Sequence, residues 1–342
     1  MLVILLAIAI WILGWVFGVA TRQRWVAIGA LWLAVVVENL LLPAGHPLRQ
    51  MTGGDARVWL VLAAVALVAF GYALIVRALK ARAVVVEPVA KPAFSDSEVN
   101  RYARHILLRE IGGPGQKRLK EARVLVVGAG GLGSPALLYL AAAGVGTIGV
   151  IDDDLVDASN LQRQIIHTDQ GIGQPKVESA RAGMLALNPY ITVQTHQARL
   201  VEAGAADLVA GYDLVLDGSD NFDTRYLVNR ICAAAGKPLI SAAITQWEGQ
   251  LSLYDPAHGA PCYECVFPVR PAPGMVPTCA EAGVAAPLPG VIGAMMAMEA
   301  VKQITGAGQT LAGRLMIHDA LYAETRVIGI KRRADCPVCG GH

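Results

Sequence analysis

Between residues 124 and 143 the chain passes from a β-branched run, Val124–Val127, through a cluster of four glycines into a helix-like stretch, Leu132–Ala143. Gly128, Gly130 and Gly133 form the spacing G-x-G-x-x-G, and Gly131 adds a fourth glycine. A strand, a tight glycine turn and a helix in that order restrict the fold to a few architectures. In those architectures the turn brings backbone N–H groups up to phosphate oxygens at a helix N-terminus. Strand-like segments then alternate with helix-like ones: Thr147–Ile151, Lys176–Asn188, Ile191–His196, Tyr212–Leu216, Arg225–Ala235 and Pro238–Ala242. Such alternation predicts an α/β fold with a mostly parallel sheet. Gln250–Tyr254 and Arg314–His318 read as antiparallel additions to it.

The first 82 residues have a different character. Residues 1–20 and 58–76 carry no charge, and 26–42 is interrupted only by Glu38 and Asn39 near its end. About 20 apolar residues suffice for a helix to cross a bilayer. Five of the six tryptophans, Trp11, Trp15, Trp25, Trp32 and Trp59, lie here, as interfacial anchoring demands. Overall only 16% of residues are charged, against about 25% in ordinary soluble domains. These features predict an α-helical membrane bundle of three spans over residues 1–82. A Pro-containing linker over 83–94 and a soluble domain over 95–342 follow. Arg22 and Arg24 between the first two spans, and Arg77, Lys80 and Arg82 after the third, place those segments in the cytoplasm and the N-terminus outside. The expected location is a multi-pass position in a bacterial inner membrane with a cytoplasmic catalytic domain. A net charge of +2 gives no bulk attraction to nucleic acid.

Asp152 ends the second strand of the soluble domain, about where a ribose-binding carboxylate belongs. By itself this fingerprint fits NAD as well as ATP. Just beyond it stand Asn160, Arg163 and Lys176, a set of polar and cationic groups that hydride transfer does not require. Adenylation does require them, because negative charge builds on the phosphates as pyrophosphate leaves. Asp154 and Gln164 belong to the same block. Asp220, with Asn221 beside it, follows the strand-like YDLVLD and so falls at a carboxyl end of the sheet, where a hard oxygen ligand suits Mg²⁺ bound with phosphates. The alternative role for Asp220 is capping the next helix.

Two C-x-x-C pairs, Cys262/Cys265 and Cys336/Cys339, supply four thiolates for a tetrahedral Zn²⁺ with no open position, hence a structural site. Disulfides are disfavoured in the cytosol. Cys232 reads as a buried structural residue, and the histidines show no ligand spacing. Cys279 stands alone in the Pro/Gly-rich PGMVPTCAEAGV, with no basic partner nearby to activate it.

The segments NRYARHILL, VVGAGGLGSPALLYLAAAGVG, IDDDLVDASNLQRQ, GQPKVESAR, LDGSDNFDTRYLVN and PTCAEAGV are similar, in order, to the MoeB/ThiF/HesA family and the ubiquitin-activating enzymes. The resemblance covers Ser95–Cys339. It implies a Rossmann-like adenylation domain working as a homodimer with ATP, Mg²⁺ and Zn²⁺. Its substrate would be the C-terminal glycine carboxylate of a small ubiquitin-like sulfur carrier (MoaD/ThiS-like) ending in Gly-Gly. A separate protein would donate the sulfur. The resemblance further implies that Asp152 holds ribose, that Asn160, Arg163 and Lys176 contact phosphates, that Asp220 holds Mg²⁺, and that Arg104 reaches into the neighbouring subunit's site. Cys279 matches the family's reactive cysteine, yet MoeB-like enzymes adenylate without covalent transfer to it, so both readings stand. The membrane segment departs from the family pattern and leaves the pathway, molybdopterin, thiamine or another, open. A non-catalytic, membrane-tethered docking protein and an NAD-dependent oxidoreductase are the alternatives.

Overall fold

A computed structural model describes residues 2–43, 45–82, 93–272, 275 and 282–340. The chain divides into two compact units, Met1–Lys91 and Pro92–His342.

The first unit is helical: α1 (Leu2–Val16), α2 (Thr21–Leu41), α3 (Pro47–Met51) and α4 (Ala56–Arg82). Local chemistry sets the breaks. Gly18 takes φ +68 after α1, Pro47 opens α3, and Gly53 and Gly54 turn the chain at φ +110 and +75 before α4. The Trp11 and Trp25 rings meet edge to face at 5.1 Å, joining α1 to α2, and Trp32 Nε1 donates to the Trp59 carbonyl, joining α2 to α4. The apolar side chains of α4, among them Val61, Val65, Leu67, Val68 and Phe70, are exposed.

The expectation of three spans is corrected: among the described residues two helices, Thr21–Leu41 and Ala56–Lys80, are long and apolar enough to cross a membrane. The 15-residue α1 is about 22 Å long, short of a ~30 Å hydrocarbon core. It stops because Gly18 turns left-handed and Arg24 folds back to donate to the Val19 carbonyl at 2.7 Å. Arg22 and Arg24 therefore lie in the first turn of α2, not in a loop, and the assignment of the N-terminus to the outer side loses its basis. The expected linker lies, but for Ala93 and Phe94, outside the described residues.

In the second unit, α5 (Asp96–Ile106) starts from a capping box in which Ser95 and Glu98 satisfy each other's backbone N–H. After α6 (Gly112–Glu121) the chain alternates: β1 (Arg123–Val127), α7 (Gly133–Ala143), β2 (Thr147–Ile151), α8 (Lys176–Leu187), β3 (Thr192–His196), α9 (Glu202–Ala210), β4 (Leu214–Asp217), α10 (Phe222–Ala235) and β5 (Leu239–Ile244). There follow β6 (Glu248–Tyr254), the short α11 (Tyr263–Val266), α12 (Pro287–Thr305), β7 (Arg314–Asp319) and β8 (Glu324–Gly329). The sheet order is β3-β2-β1-β4-β5-β6-β7-β8. The pairs from β3 through β5 are parallel and the pairs from β5 through β8 antiparallel.

Both faces of the central parallel strands are covered, which is why β1, β2 and β4 are almost continuously apolar, while the edge strand β3 is polar. Val124 and Val126 of β1 enter one core with α7, α8 and α12, while Leu125 and Val127 enter the other with α9 and α10. Chain order reverses between β1 and β4, since β2 and β3 lie on one side of β1 and β4 and β5 on the other. Above the carboxyl ends of β1 and β4 this leaves the crevice in which α/β sheets bind ligands.

Candidate adenylation site and four-cysteine cluster

Two loops flank that crevice. The β1–α7 loop carries the glycines. Gly128 sits at φ +94, and a Cβ on Gly133 would lie 1.9 Å from the Gly128 carbonyl oxygen, so no other residue fits at Gly133 without moving the turn. The β4–α10 loop runs against it, with the Gly218 carbonyl 3.2 Å from where a Gly128 Cβ would stand.

Asp152, at the end of β2, is tied to the turn: its carboxylate accepts from the N–H of Ala129 at 2.8 Å and from that of Asp154 at 2.9 Å. Burial raises its pKa above the usual carboxylate range, against the opposing pull of those two N–H groups and of Lys176. Downstream, a single 3₁₀ turn over Ala158–Asn160, capped by Asp157, puts Asn160 and Arg163 three residues apart. Arg163 Nη2 donates to Asn160 Oδ1 at 2.8 Å. Lys176 opens α8 and is only 4% exposed, and its ammonium donates to Asp154 Oδ2 at 2.7 Å. Gln164 is 5% exposed beside Gly130, and its Oε1 has no partner among the described residues.

The helix after β4 is capped by Asn221, whose side chain accepts from the Thr224 N–H at 2.9 Å. Asp220 therefore is not the cap, and its exposed carboxylate stands at the rim of the crevice. Beneath it lies a buried network that sequence reasoning did not resolve. Asp217 is fully buried and accepts from Ser219 N–H at 3.0 Å, Ser219 Oγ at 2.5 Å and Ser241 Oγ at 2.8 Å. Arg225 donates to the carbonyls of Ser219 and Ala242 at 2.6 and 2.8 Å and lies 3.9 Å from the Asp217 carboxylate. Together they hold the loop that presents Asp220. The readable signal was an acidic residue ending the apolar strand, with an arginine on the next helix.

His167, read from the sequence as having no ligand spacing, has a structural place here. It is buried, with Nε2 2.9 Å from the Ala129 carbonyl and Nδ1 3.0 Å from Ser179 Oγ on α8. Burial lowers its pKa, so the neutral ring donates to Ala129 and accepts from Ser179. It thereby fastens the glycine turn to the helix that carries Lys176.

Two expected residues are not brought into this cluster. Arg104 is exposed on α5, two residues from Tyr102. The Tyr102 ring packs on Gly144, beyond the C-terminal end of α7 and about 16 Å along that helix from the glycine turn. Cys279 lies outside the described residues.

The four cysteines converge. Cys262 Sγ lies 3.9 Å from Cys265 and 3.5 Å from Cys336, and Cys265 lies 3.4 Å from Cys339. All four are buried, with sulfurs within 4.8 Å of one another. A disulfide needs about 2.05 Å between sulfurs, whereas a tetrahedral zinc with 2.3 Å bonds needs about 3.8 Å, so the set fits a metal ion and not disulfides. The cluster is anchored on α10, since Asn229 accepts from the Tyr263 N–H at 2.8 Å. Cys232 is apart from it, and burial pushes its thiol up to about 12.

At the carboxyl edge of the sheet, the edge that bears the crevice, the β5–β6 and β7–β8 turns touch through the Ala320 N–H and Trp247 carbonyl, and they expose Trp247, Leu321 and Tyr322.

The ThiF family model matches residues 102–338. A sulfur carrier protein adenylyltransferase of Thermus thermophilus is 48% identical over 251 residues, spanning 72% of this chain and 93% of that protein. The probable adenylyltransferase/sulfurtransferase MoeZ of Mycobacterium tuberculosis is 51% identical over 255 residues, and these span 74% of this chain but only 64% of MoeZ. Among solved structures, MccB of E. coli with ATP is 26% identical with a TM-score of 0.61, covering 70% of this chain and 74% of that one. The glycine turn, the Asp152–Lys176 block and the sheet order thus occur in a chain that belongs to the ThiF family.

Proposed function

We propose that the chain is an ATP-dependent adenylyltransferase acting on the C-terminal glycine carboxylate of a small ubiquitin-like sulfur carrier ending in Gly-Gly. One observation carries this reading: a buried cation, a ribose-type carboxylate and a glycine turn meet at the carboxyl edge of the sheet. The name of the Thermus thermophilus relative supports the same substrate class.

Asp152 would receive the ribose hydroxyls of ATP, and the glycine-turn N–H groups with Asn160, Arg163 and Lys176 the phosphates. A carboxylate oxygen of the carrier forms a bond to the α-phosphorus, the bond to the bridging oxygen breaks, and pyrophosphate departs with that electron pair. The nucleophile is already ionised, so no proton has to move. The protein contributes alignment and fixed positive charge where negative charge develops. Asp220, an exposed hard donor at the rim, fits Mg²⁺ shared with phosphate oxygens, and the ion would neutralise the leaving group. The four cysteines would hold a structural Zn²⁺ that staples the C-terminal tail to α11.

Homodimerisation belongs to this reading: Arg104 is exposed on α5, whose Tyr102 packs at the far end of α7 from the glycine turn, and it would serve a partner's site. So does membrane attachment by α2 and α4, whose basic residues, Arg22 and Arg24 at one start and Arg77 and Lys80 at the other end, would both face the cytoplasm. Cys279 is not required for the adenylation step, and sulfur would come from another protein. Hydroxylamine added to the enzyme, ATP and a carrier should convert the acyl-adenylate to a C-terminal hydroxamate with release of AMP. Absence of that product with every Gly-Gly carrier tried would overturn the reading.

A further inference from the structure

Lys176 and Asp154 form an unequal pair. The lysine side chain is 5% exposed and packed at the start of α8, whereas the aspartate side chain is 65% exposed. The cation cannot leave, but its anion can swing into water at little cost. The Asp154 backbone is separately fixed, its N–H donating to Asp152 and its carbonyl accepting from the Lys176 N–H at 3.0 Å. The side chain's hydrogen bond to the ammonium, at 2.7 Å, is therefore independent of the local fold.

We propose that Asp154 is a positioning residue that acts as an exchangeable counter-ion: it keeps the Lys176 ammonium in place and neutralised until a di- or triphosphate displaces it, and it sets how tightly pyrophosphate is retained. A buried ammonium without a partner is costly, so the empty site needs such an anion. A phosphate group offers more charge at the same place, and it must do so in competition with the carboxylate. After the α-phosphorus bond has broken, Asp154 returning to Lys176 helps expel pyrophosphate. This rests on the nucleotide reading of the site.

The test is binding of ATP and of inorganic pyrophosphate, with Mg²⁺ present, to the full-length protein in detergent, comparing the parent with Asp154→Asn and Lys176→Ala. Removing the competing anion should tighten pyrophosphate binding roughly three- to tenfold, the scale of a partly exposed ion pair. It should also lower the KM for ATP and strengthen inhibition by pyrophosphate, with a lower melting temperature in the absence of ligand, because Lys176 then stays buried without its anion. A merely structural role predicts weaker binding of both ligands. Unchanged or weaker pyrophosphate binding by Asp154→Asn, while the parent binds ATP and Lys176→Ala does not, overturns the counter-ion role alone. Failure of the parent to bind ATP, or binding by Lys176→Ala equal to the parent's, overturns the nucleotide reading and this role with it.

Discussion

The catalytic unit contains two clusters of ionisable side chains built on opposite principles. At the cysteine cluster all four ligand residues are buried and face one another within 4.8 Å, and there is no place for an outside ligand. At the crevice the groups come from the β2–α8 and β4–α10 connections, and their burial is graded: Lys176 is buried, Asp152 and Arg163 half-buried, Asp154 and Asp220 exposed. One cluster satisfies its charges internally and therefore holds the chain together. The other leaves some of its charges exposed to solvent, as the proposed uptake and release of an anion requires. Within one fold, the degree of closure separates a staple from a reaction site.

The largest expected effect comes from opening the closed cluster. Cys336→Ser should abolish stoichiometric zinc, make the C-terminal tail sensitive to protease and lower the melting temperature by on the order of 10 °C. Metal analysis and a thermal melt check it. The mirror experiment is Lys176→Ala at the open cluster, which should cut adenylation by roughly 10²–10³-fold while leaving zinc content and the melt unchanged. A collapse of the fold in that variant would mean the crevice is also structural.

Arg225→Met sharpens the comparison, because Arg225 is a buried, staple-like residue inside the open site. It should destabilise the unit by about 3 kcal/mol, since it leaves Asp217 buried without its cation. Activity should fall with it as the loop bearing Asp220 loosens. Denaturant midpoints and steady-state rates on the same sample check both.

The smallest effect concerns His167. Its folded pKa lies below the unfolded value of about 6.5. As pH falls below 6.5 the unfolded chain binds the proton first, so the stability from neutral His167 is complete above that pH and is lost as pH falls toward the folded pKa. Between pH 7.5 and 5.5 the parent should therefore lose stability that His167→Gln does not, read as a difference in urea midpoint.

Much of this was legible in the sequence, for identifiable reasons. Strand–glycine–helix order and continuously apolar central strands are local patterns, and they fixed the parallel half of the fold. The C-x-x-C spacing led to the cysteine cluster because metal geometry tolerates few alternatives. By contrast, β8 is exposed along its whole length and carries no apolar alternation to read. The end of α1 depended on a left-handed glycine and a side-chain contact from Arg24 that periodicity does not encode, so 20 apolar residues looked like a span. The structural roles of Asp217, Arg225 and His167 were not readable because each acts through a partner distant in sequence or through backbone carbonyls. The pairing of Lys176 with Asp154 across 22 positions belongs to the same class.

The most direct test of the central claim is ATP–pyrophosphate exchange by the detergent-purified full-length protein, with candidate small proteins ending in Gly-Gly supplied intact or lacking the last glycine. Exchange that requires the intact tail and disappears in Lys176→Ala is the predicted result. Absence of exchange with every candidate, from protein that holds zinc and binds ATP, would contradict adenylation of such a tail.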